Sequence, residues 1–433
     1  MNVIDIDITQ TLRDVLPIDS FLFNPSIAHV TGDIYIVSVR SYISDISKPF
    51  DKNPNLSDNP QHPWFSNWVG EHDGTYILPM IITEHAIQPI TTSGWPLYLP
   101  MQDMRLFRFM KDGNKIVFIL SYNVSYNGYQ DMLIKAGDSC DDWCYLIGWS
   151  YLMVDINSLD FSYVPGEKPL CTNISNPLEK NWSIWRYDHN MLVYLVVSYV
   201  LTPIHMAFSF ILNGIKDGDM TGGSTCRMIT PRPGKNNNVL GELEQYYDNK
   251  LFISLSSPSY VTKVCTYQAV GHLKIEIDYL KSIVKKRSQL AKFVKKFMKN
   301  DDKKYYHHKY IYFMFIYHFK VQQADQQEVE TGYGSIELTG SSTRVSASIT
   351  HVTPAFMINV DEYDYFLNFP AGMVLNEKNT IVSYGNGDSS AHLLIIPNET
   401  LKDMLIPVST LTAAKFEFIH AVKNEDDMII FNM

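Results

Sequence analysis

QDMRLFRFMKDGNKIVFILSYNVSY, Gln102 to Tyr126, carries the pattern that decides the fold. It opens on a polar motif, Gln102-Asp103-Met104-Arg105, at the head of an apolar run. A second apolar run, Ile116 to Leu120, ends in Ser121 with polar and aromatic residues after it. Short β-branched and aromatic runs bounded by polar clusters read as strands. Four more runs end in the same way: Ile34 to Tyr42 at Ser38, Val193 to Leu201 at Ser198, Leu251 to Ser259 at Ser254, and Thr380 to Ser389 at Ser383. Three of these follow a polar head motif of their own, namely Asn24-Pro25, Lys180-Asn181-Trp182-Ser183 and Phe369-Pro370-Ala371-Gly372. The run at Leu251 lacks a clear one, Ile229-Thr230-Pro231 being the nearest.

Recurrence at this scale is the signature of a repeat architecture. In each unit one strand starts at a central channel with a polar residue and turns apolar as it enters the interior. The next strand runs back and leaves its own polar end near the same face. A single such blade cannot bury both faces, whereas radial stacking buries them and leaves only short edges. The fold expected is therefore all-β, a five-bladed β-propeller, with residues 1–433 as a single domain. A β-sandwich with coincidental serine-rich strand ends is the alternative. With 433 residues, 45% hydrophobic and 13% aromatic, the chain can build such a core.

Three segments interrupt the pattern. Between Lys274 and Asn300, Leu280, Ile283, Val284, Leu290, Ala291, Val294 and Phe297 fall at helical spacing, with Lys and Arg on the other face. That reads as an inserted basic amphipathic helix. Its charged side is either a solvated face or a patch for an anionic surface. The polar stretch Gln322 to Thr350, after a strand at Lys309 to Val321, reads as a surface loop. Met191 to Leu212 is apolar and long enough to cross a bilayer, but Thr202-Pro203 and His205 interrupt it. Two buried strands joined at Thr202-Pro203 are expected instead.

A formal charge of −10 argues against a nucleic-acid partner for the chain as a whole. Cys140, Cys144, Cys171, Cys226 and Cys265 form no disulfide framework and no zinc spacing, so structural thiols and no metal are expected. The acidic N-terminus lacks the apolar run of a secretory signal, which points to a cytoplasmic, reducing setting.

On a strand, Asp103 and Arg105 project to the same face. At the channel mouth, Asp103 is the candidate general acid toward a glycosidic oxygen, with Arg105 beside it; an ordinary ion pair is the plainer reading. Lys180 is a candidate anion ligand, and Asn181 and Trp182 offer an amide and a stacking face for a sugar. Arg40, Tyr199, His205 and His272 extend the set toward an anionic group. In the closing motif Ser383 to Ser389, glycines flank Asn386, so the backbone can approach a ligand closely while Tyr384 and Asp388 contribute side chains. The motif lacks the spacing and the lysine of a phosphate loop.

The order of these motifs resembles that of glycoside hydrolase family 130, five-bladed propeller enzymes that include β-mannoside phosphorylases and some hydrolases. Asn24-Pro25, Arg40, Asp103 with Arg105, Lys180-Asn181 and Tyr384-Gly385 through Asp388 follow the family order over most of the chain. Gln102 and Met104 stand where the family has Glu and Pro, and Asn386-Gly387 where it has two alanines. The resemblance implies Asp103 as acid and inorganic phosphate as co-substrate without other cofactors. Phosphate would be held among Arg40, Arg105, Lys180, His205 and His272, and an oligosaccharide or sugar phosphate by Asn24, Asn181, Trp182, Tyr199, Tyr384 and Asp388. A hydrolase would need a second carboxylate, for which Glu71, Asp73 and Glu179 are candidates. A non-catalytic glycan-binding or protein-interaction propeller is the competing expectation.

Overall fold

The computed structural model describes residues 3–16, 20–43, 73–83, 86–99, 101–125, 145–165, 181–189, 192–201, 206–211, 239–283, 310–323, 335–337, 344–359, 367–387, 390–423 and 428–431. The architecture is all-β, with a few short helices. After β1 (Val3–Asp7) and α1 (Thr9–Arg13), the chain forms a meander of β2 (Ser20–Thr31), β3 (Ile34–Ile43) and β4 (Asp73–Ile82). The short β5 (Ile87–Pro89) and β6 (Leu97–Leu99) add to β4. The second meander is β7 (Gln102–Asp112), β8 (Lys115–Ser125), β9 (Tyr145–Asp155) and β10 (Phe161–Pro165). The third is β11 (Ser183–His189), β12 (Leu192–Val200) and β13 (Met206–Ile211).

The fourth meander follows α2 (Val239–Tyr246). Its strands are β14 (Leu251–Leu255), β15 (Tyr260–Lys263), β16 (Thr266–Glu276), β17 (Tyr310–Gln323), β18 (Ser335–Glu337) and β19 (Arg344–Val352), with α3 (Ile277–Ile283) between β16 and β17. After β20 (Ala355–Asn359) comes the fifth, β21 (Asn368–Leu375), β22 (Asn379–Asn386) and β23 (Ser390–Pro397). Beyond α4 (Asn398–Met404) and β24 (Ile406–Pro407), the chain ends in β25 (Phe418–Lys423) and β26 (Met428–Phe431). Both termini close onto the fifth meander: β1 pairs with β23 on one side and with β26 on the other.

Alternation along the strands decides what is buried where. Leu106 faces a core shared with Ile36 and Ile77 of the first meander, whereas its neighbour Phe107 faces one shared with Ile184 and Val197 of the third. Consecutive strand residues point to opposite faces, so each meander contributes to two cores. Trp185 and Tyr194 join Tyr267 and Phe319, Met314 and Ile316 join Met373 and Val382, and Val374 and Leu393 join Ile27 and Val37. Among the described residues, five cores thus lie between successive meanders, the last between the fifth and the first. Tyr260 packs against three of them. Each fully buried Phe, Leu or Ile in these layers contributes about 1.5–3 kcal/mol.

The strand reading of Met191 to Leu212 holds: β12 and β13 pair antiparallel on either side of Leu201. Among the described residues no helix is long and apolar enough to cross a membrane. Three expectations need correction. Lys274, Ile275 and Glu276 end β16 opposite Tyr312, Ile311 and Tyr310, so the helix begins at Ile277 rather than Lys274. Leu280 and Ile283 are buried as expected, while the remainder of Lys274 to Asn300 lies outside the described residues. Within Gln322 to Thr350, Arg344 to Thr350 belongs to β19 and pairs with β17, because Val345, Ala347 and Ile349 alternate into the core. Ser335 to Glu337 adds a short strand there.

The third correction concerns the fourth repeat. Leu251 to Ser259 is not the returning strand but the first one; β14 and β15 both pair with β16, interrupted by Ser256 to Ser259. Its head motif is Ser257-Pro258-Ser259, inside the run, rather than Ile229-Thr230-Pro231, which lies outside the described residues.

Candidate functional site

Four first strands share one register position at the head, and each reaches it through a bulge, a left-handed residue or both. In β2, β7 and β21 the ladder skips register at the head motif, between Phe23 and Ser26, Gln102 and Arg105, and Pro370 and Gly372. Such bulges bend the strand and re-aim a side chain. Asn24, Asp103 and Asn181 adopt left-handed backbone angles, with φ of 49°, 48° and 66°. Asn and Asp tolerate that region better than other side-chain-bearing residues. At the end of each head or directly past it, Ser26 pairs with Ser38, Arg105 with Ser121, Ser183 with Ser198 and Gly372 with Ser383. The recurring serine of the sequence is therefore one register position repeated in four meanders.

These heads bond to one another across the meander boundaries. Asn24 Nδ2 donates to Asp103 Oδ1 at 3.0 Å, and Arg40 donates to the same oxygen at 3.0 Å. Asn123 Nδ2 donates to Asp103 Oδ2 at 3.2 Å. Arg40 also lies over the Phe23 ring, 5.2 Å from its centroid. Arg105 donates to Asn181 Oδ1 at 2.8 Å, joining the second meander to the third. Ser183 and Ser259 hydroxyls meet at 2.9 Å, joining the third to the fourth. The His272 and Phe369 rings join the fourth to the fifth at 5.0 Å. At the last boundary Gly385 abuts Asn24, and a Cβ there would fall on the Asn24 side chain and backbone.

Two electrostatic features stand out. Arg105 is 3% exposed, its Nε has no hydrogen-bond partner among the described residues, and its guanidinium lies 5.9 Å from the Phe369 centroid. Burial lowers its pKa to about 10 against the pull of Asp103, so it remains a cation at neutral pH. A buried guanidinium hydrogen-bonded to a neutral amide is prepared for an anion. His272 lies close by, stacked on Tyr312 and bonded through Nδ1 to the Ser256 hydroxyl at 2.6 Å. Burial, helped by the Lys274 and Arg105 charges, pushes its pKa down to about 3, so the imidazole is neutral.

The expected residues divide clearly. Asn24, Arg40, Asp103, Arg105, Asn181 and His272 are brought together. Trp182 is buried in the core between the second and third meanders, because alternation after Asn181 turns it inward. Tyr384 likewise faces away: its hydroxyl donates to Asp5 at 2.7 Å and its ring stacks on His392. Tyr199 lies in β12, its side chain outside the description; Lys180, His205 and Asp388 lie outside the described residues altogether. Glu71 and Glu179 lie outside them too, and Asp73 opens β4 opposite Tyr42. Asn123, Ser256 and Phe369 are site residues not singled out individually from sequence. Among the described residues no group of His, Cys, Asp and Glu could hold a metal ion.

No family model matches the chain, and no curated protein matches it. Among solved structures it is similar to a β-1,2-mannobiose phosphorylase from Listeria innocua at 13% identity, TM-score 0.44, covering 93% of this chain and 99% of that one. It is also similar to a mannose phosphorylase from Leishmania mexicana in complex with phosphate ion, at 10% identity, TM-score 0.42, covering 92% and 89%. A GDP-Man-dependent mannosyltransferase from Leishmania mexicana aligns at 10% identity, TM-score 0.41, covering 88% and 85%.

Proposed function

We propose that the five meanders are the blades of a single propeller whose head motifs form a glycan site, and that the chain transfers a β-mannoside-like sugar to or from inorganic phosphate. The observation that carries this reading is the buried Arg105 cation, with an unpaired Nε–H, in the same ring of head motifs as a carboxylate. Asp103 supplies the proton and Arg105 holds the anion. In the cleavage direction Asp103 protonates the glycosidic oxygen as its bond to the anomeric carbon breaks. A phosphate oxygen forms the new bond to that carbon, giving a sugar 1-phosphate and the shortened glycan. General acid catalysis of this kind contributes roughly 10²–10⁴-fold.

Arg40 and Asn24 fix one carboxyl oxygen of Asp103, and Asn123 fixes the other. Arg105 and neutral His272 face the anion, and Phe369 covers the two of them with an apolar ring. The cytosol or another reducing compartment is the setting we propose. A second reading rests on one observation: both oxygens of Asp103 are already engaged by an ion pair and two amides. A propeller that binds a glycan without cleaving it would keep such an arrangement.

Synthesis separates the two readings. Sugar 1-phosphates supplied with a range of acceptor sugars should release inorganic phosphate and yield a β-linked product. Binding of the same glycans without phosphate release from any pair would reject the enzyme in favour of the binding propeller.

A further inference from the structure

Ser256 plays no part in the family order of motifs, yet among the described residues it contacts the one imidazole of the site. Its hydroxyl is fully buried and lies 2.6 Å from His272 Nδ1. A neutral imidazole carries a single N–H, so the nitrogen that holds it decides whether the ring donates or accepts at its other end. Two arrangements fit a bond between Ser256 and Nδ1. If Nδ1–H donated to the serine oxygen, the serine proton would need another acceptor, and among the described residues the hydroxyl has no partner other than Nδ1. A buried hydroxyl hydrogen without an acceptor is costly. If the serine donates to Nδ1, that cost disappears and the ring proton sits on Nε2.

We propose that Ser256 is a positioning residue that locks His272 in the Nε2–H form, making a neutral imidazole a hydrogen-bond donor to the anion beside Arg105. This rests on the anion-binding reading of the site. The geometry favours it in two further ways. The His272 ring packs against two aromatic rings, stacked on Tyr312 at 5.7 Å and tilted to Phe369 at 5.0 Å, which restrict its rotation while Ser256 holds Nδ1. Arg105 reaches the same Phe369 ring and has its own unpaired Nε–H. A donor that is neutral by burial keeps its proton across the physiological range, so its contribution does not switch with pH as an imidazolium would.

The test is ¹⁵N NMR of the histidine-labelled full chain from pH 5.5 to 8, with inorganic phosphate titrated into the wild type, Ser256→Ala and Ser256→Thr. The wild type should show an unprotonated Nδ1 and a protonated Nε2 throughout. Ser256→Ala should mix the two forms and weaken phosphate binding by roughly five- to tenfold, the scale of one hydrogen bond. Ser256→Thr, which keeps the hydroxyl, should restore both. A protonated Nδ1 in the wild type, or Nε2–H persisting unchanged in Ser256→Ala, overturns the lock. The predicted tautomer with no phosphate binding at all overturns the donor role and the anion-binding reading together, leaving the tautomer assignment intact. If Ser256→Ala fails to fold, the wild-type spectrum and the threonine variant still decide between the two forms.

Discussion

Arg40 Nη1 and Asp103 Oδ1 stand 3.0 Å apart across the boundary between the first two meanders, with side chains only 13% and 15% exposed. At that burial, removing one partner strands the other in a poorly solvated place. Arg40→Ala should lower unfolding stability by about 1–3 kcal/mol, read as a lower denaturant midpoint, while Arg40→Lys should recover only part of it. Asp103→Asn removes the charge but keeps the shape, so it should abolish turnover while remaining folded.

Arg105 should behave in the opposite sense. Among the described residues no carboxylate is hydrogen-bonded to this buried cation, so Arg105→Met removes a desolvation cost along with a functional group. Thermal stability should stay level or rise. Phosphate affinity, measured by calorimetry, should fall by about 2 kcal/mol, roughly thirtyfold, the scale of a charged hydrogen bond. A variant that loses stability without losing affinity would mark Arg105 as structural.

Gly385 has no room for a side chain. In Gly385→Ala the new methyl would meet Asn24 Oδ1 and backbone N, so Asn24 must shift and release Asp103. The expected cost is about 1–3 kcal/mol of stability, accompanied by a loss of turnover larger than that cost explains. Comparing melting temperature with rate for this variant checks both halves.

The closure between termini should depend on pH. Burial alone would push the His392 pKa down, but the hydrogen bond and charge of Asp5, with Asp7 in support, outweigh it and hold the pKa above the ordinary 6.5. His392 Nδ1 lies 3.2 Å from Asp5 Oδ2, with Lys423 3.8 Å from the same oxygen. A folded pKa raised above the unfolded one stabilises fully below about 6.5, and that contribution fades as pH climbs through the folded value. The melting temperature should therefore fall from slightly acid to mildly alkaline pH. In Asp5→Asn that dependence should vanish and stability should be lower by about 3 kcal/mol, since a buried pair is broken.

Much of the site could be read from the chain because its geometry restricts residue choice. A left-handed backbone at a strand head favours Asn or Asp, so Asn24, Asp103 and Asn181 declare themselves. The fourth head escaped because serines suit both a strand end and a turn, which fused Ser257-Pro258-Ser259 with the run before it. Trp182 and Tyr384 were misread for a different reason: each stands next to a site residue, and alternation on a strand sends it to the opposite face. Asn123 sits on a strand, and Ser256 in the break between β14 and β15, so the role of each becomes evident only once register is known. The helix boundary failed at Lys274, whose long side chain serves the end of a strand, over the Phe252 and Tyr310 rings, as readily as a helix face.

The central claim is that Asp103 and the anion at Arg105 act on the same sugar. The most direct measurement is turnover of β-linked mannosides, with and without inorganic phosphate, by the wild type and Asp103→Asn. The account requires phosphate-dependent release of a sugar 1-phosphate by the wild type and none by the variant. Equal turnover by the two proteins would contradict it.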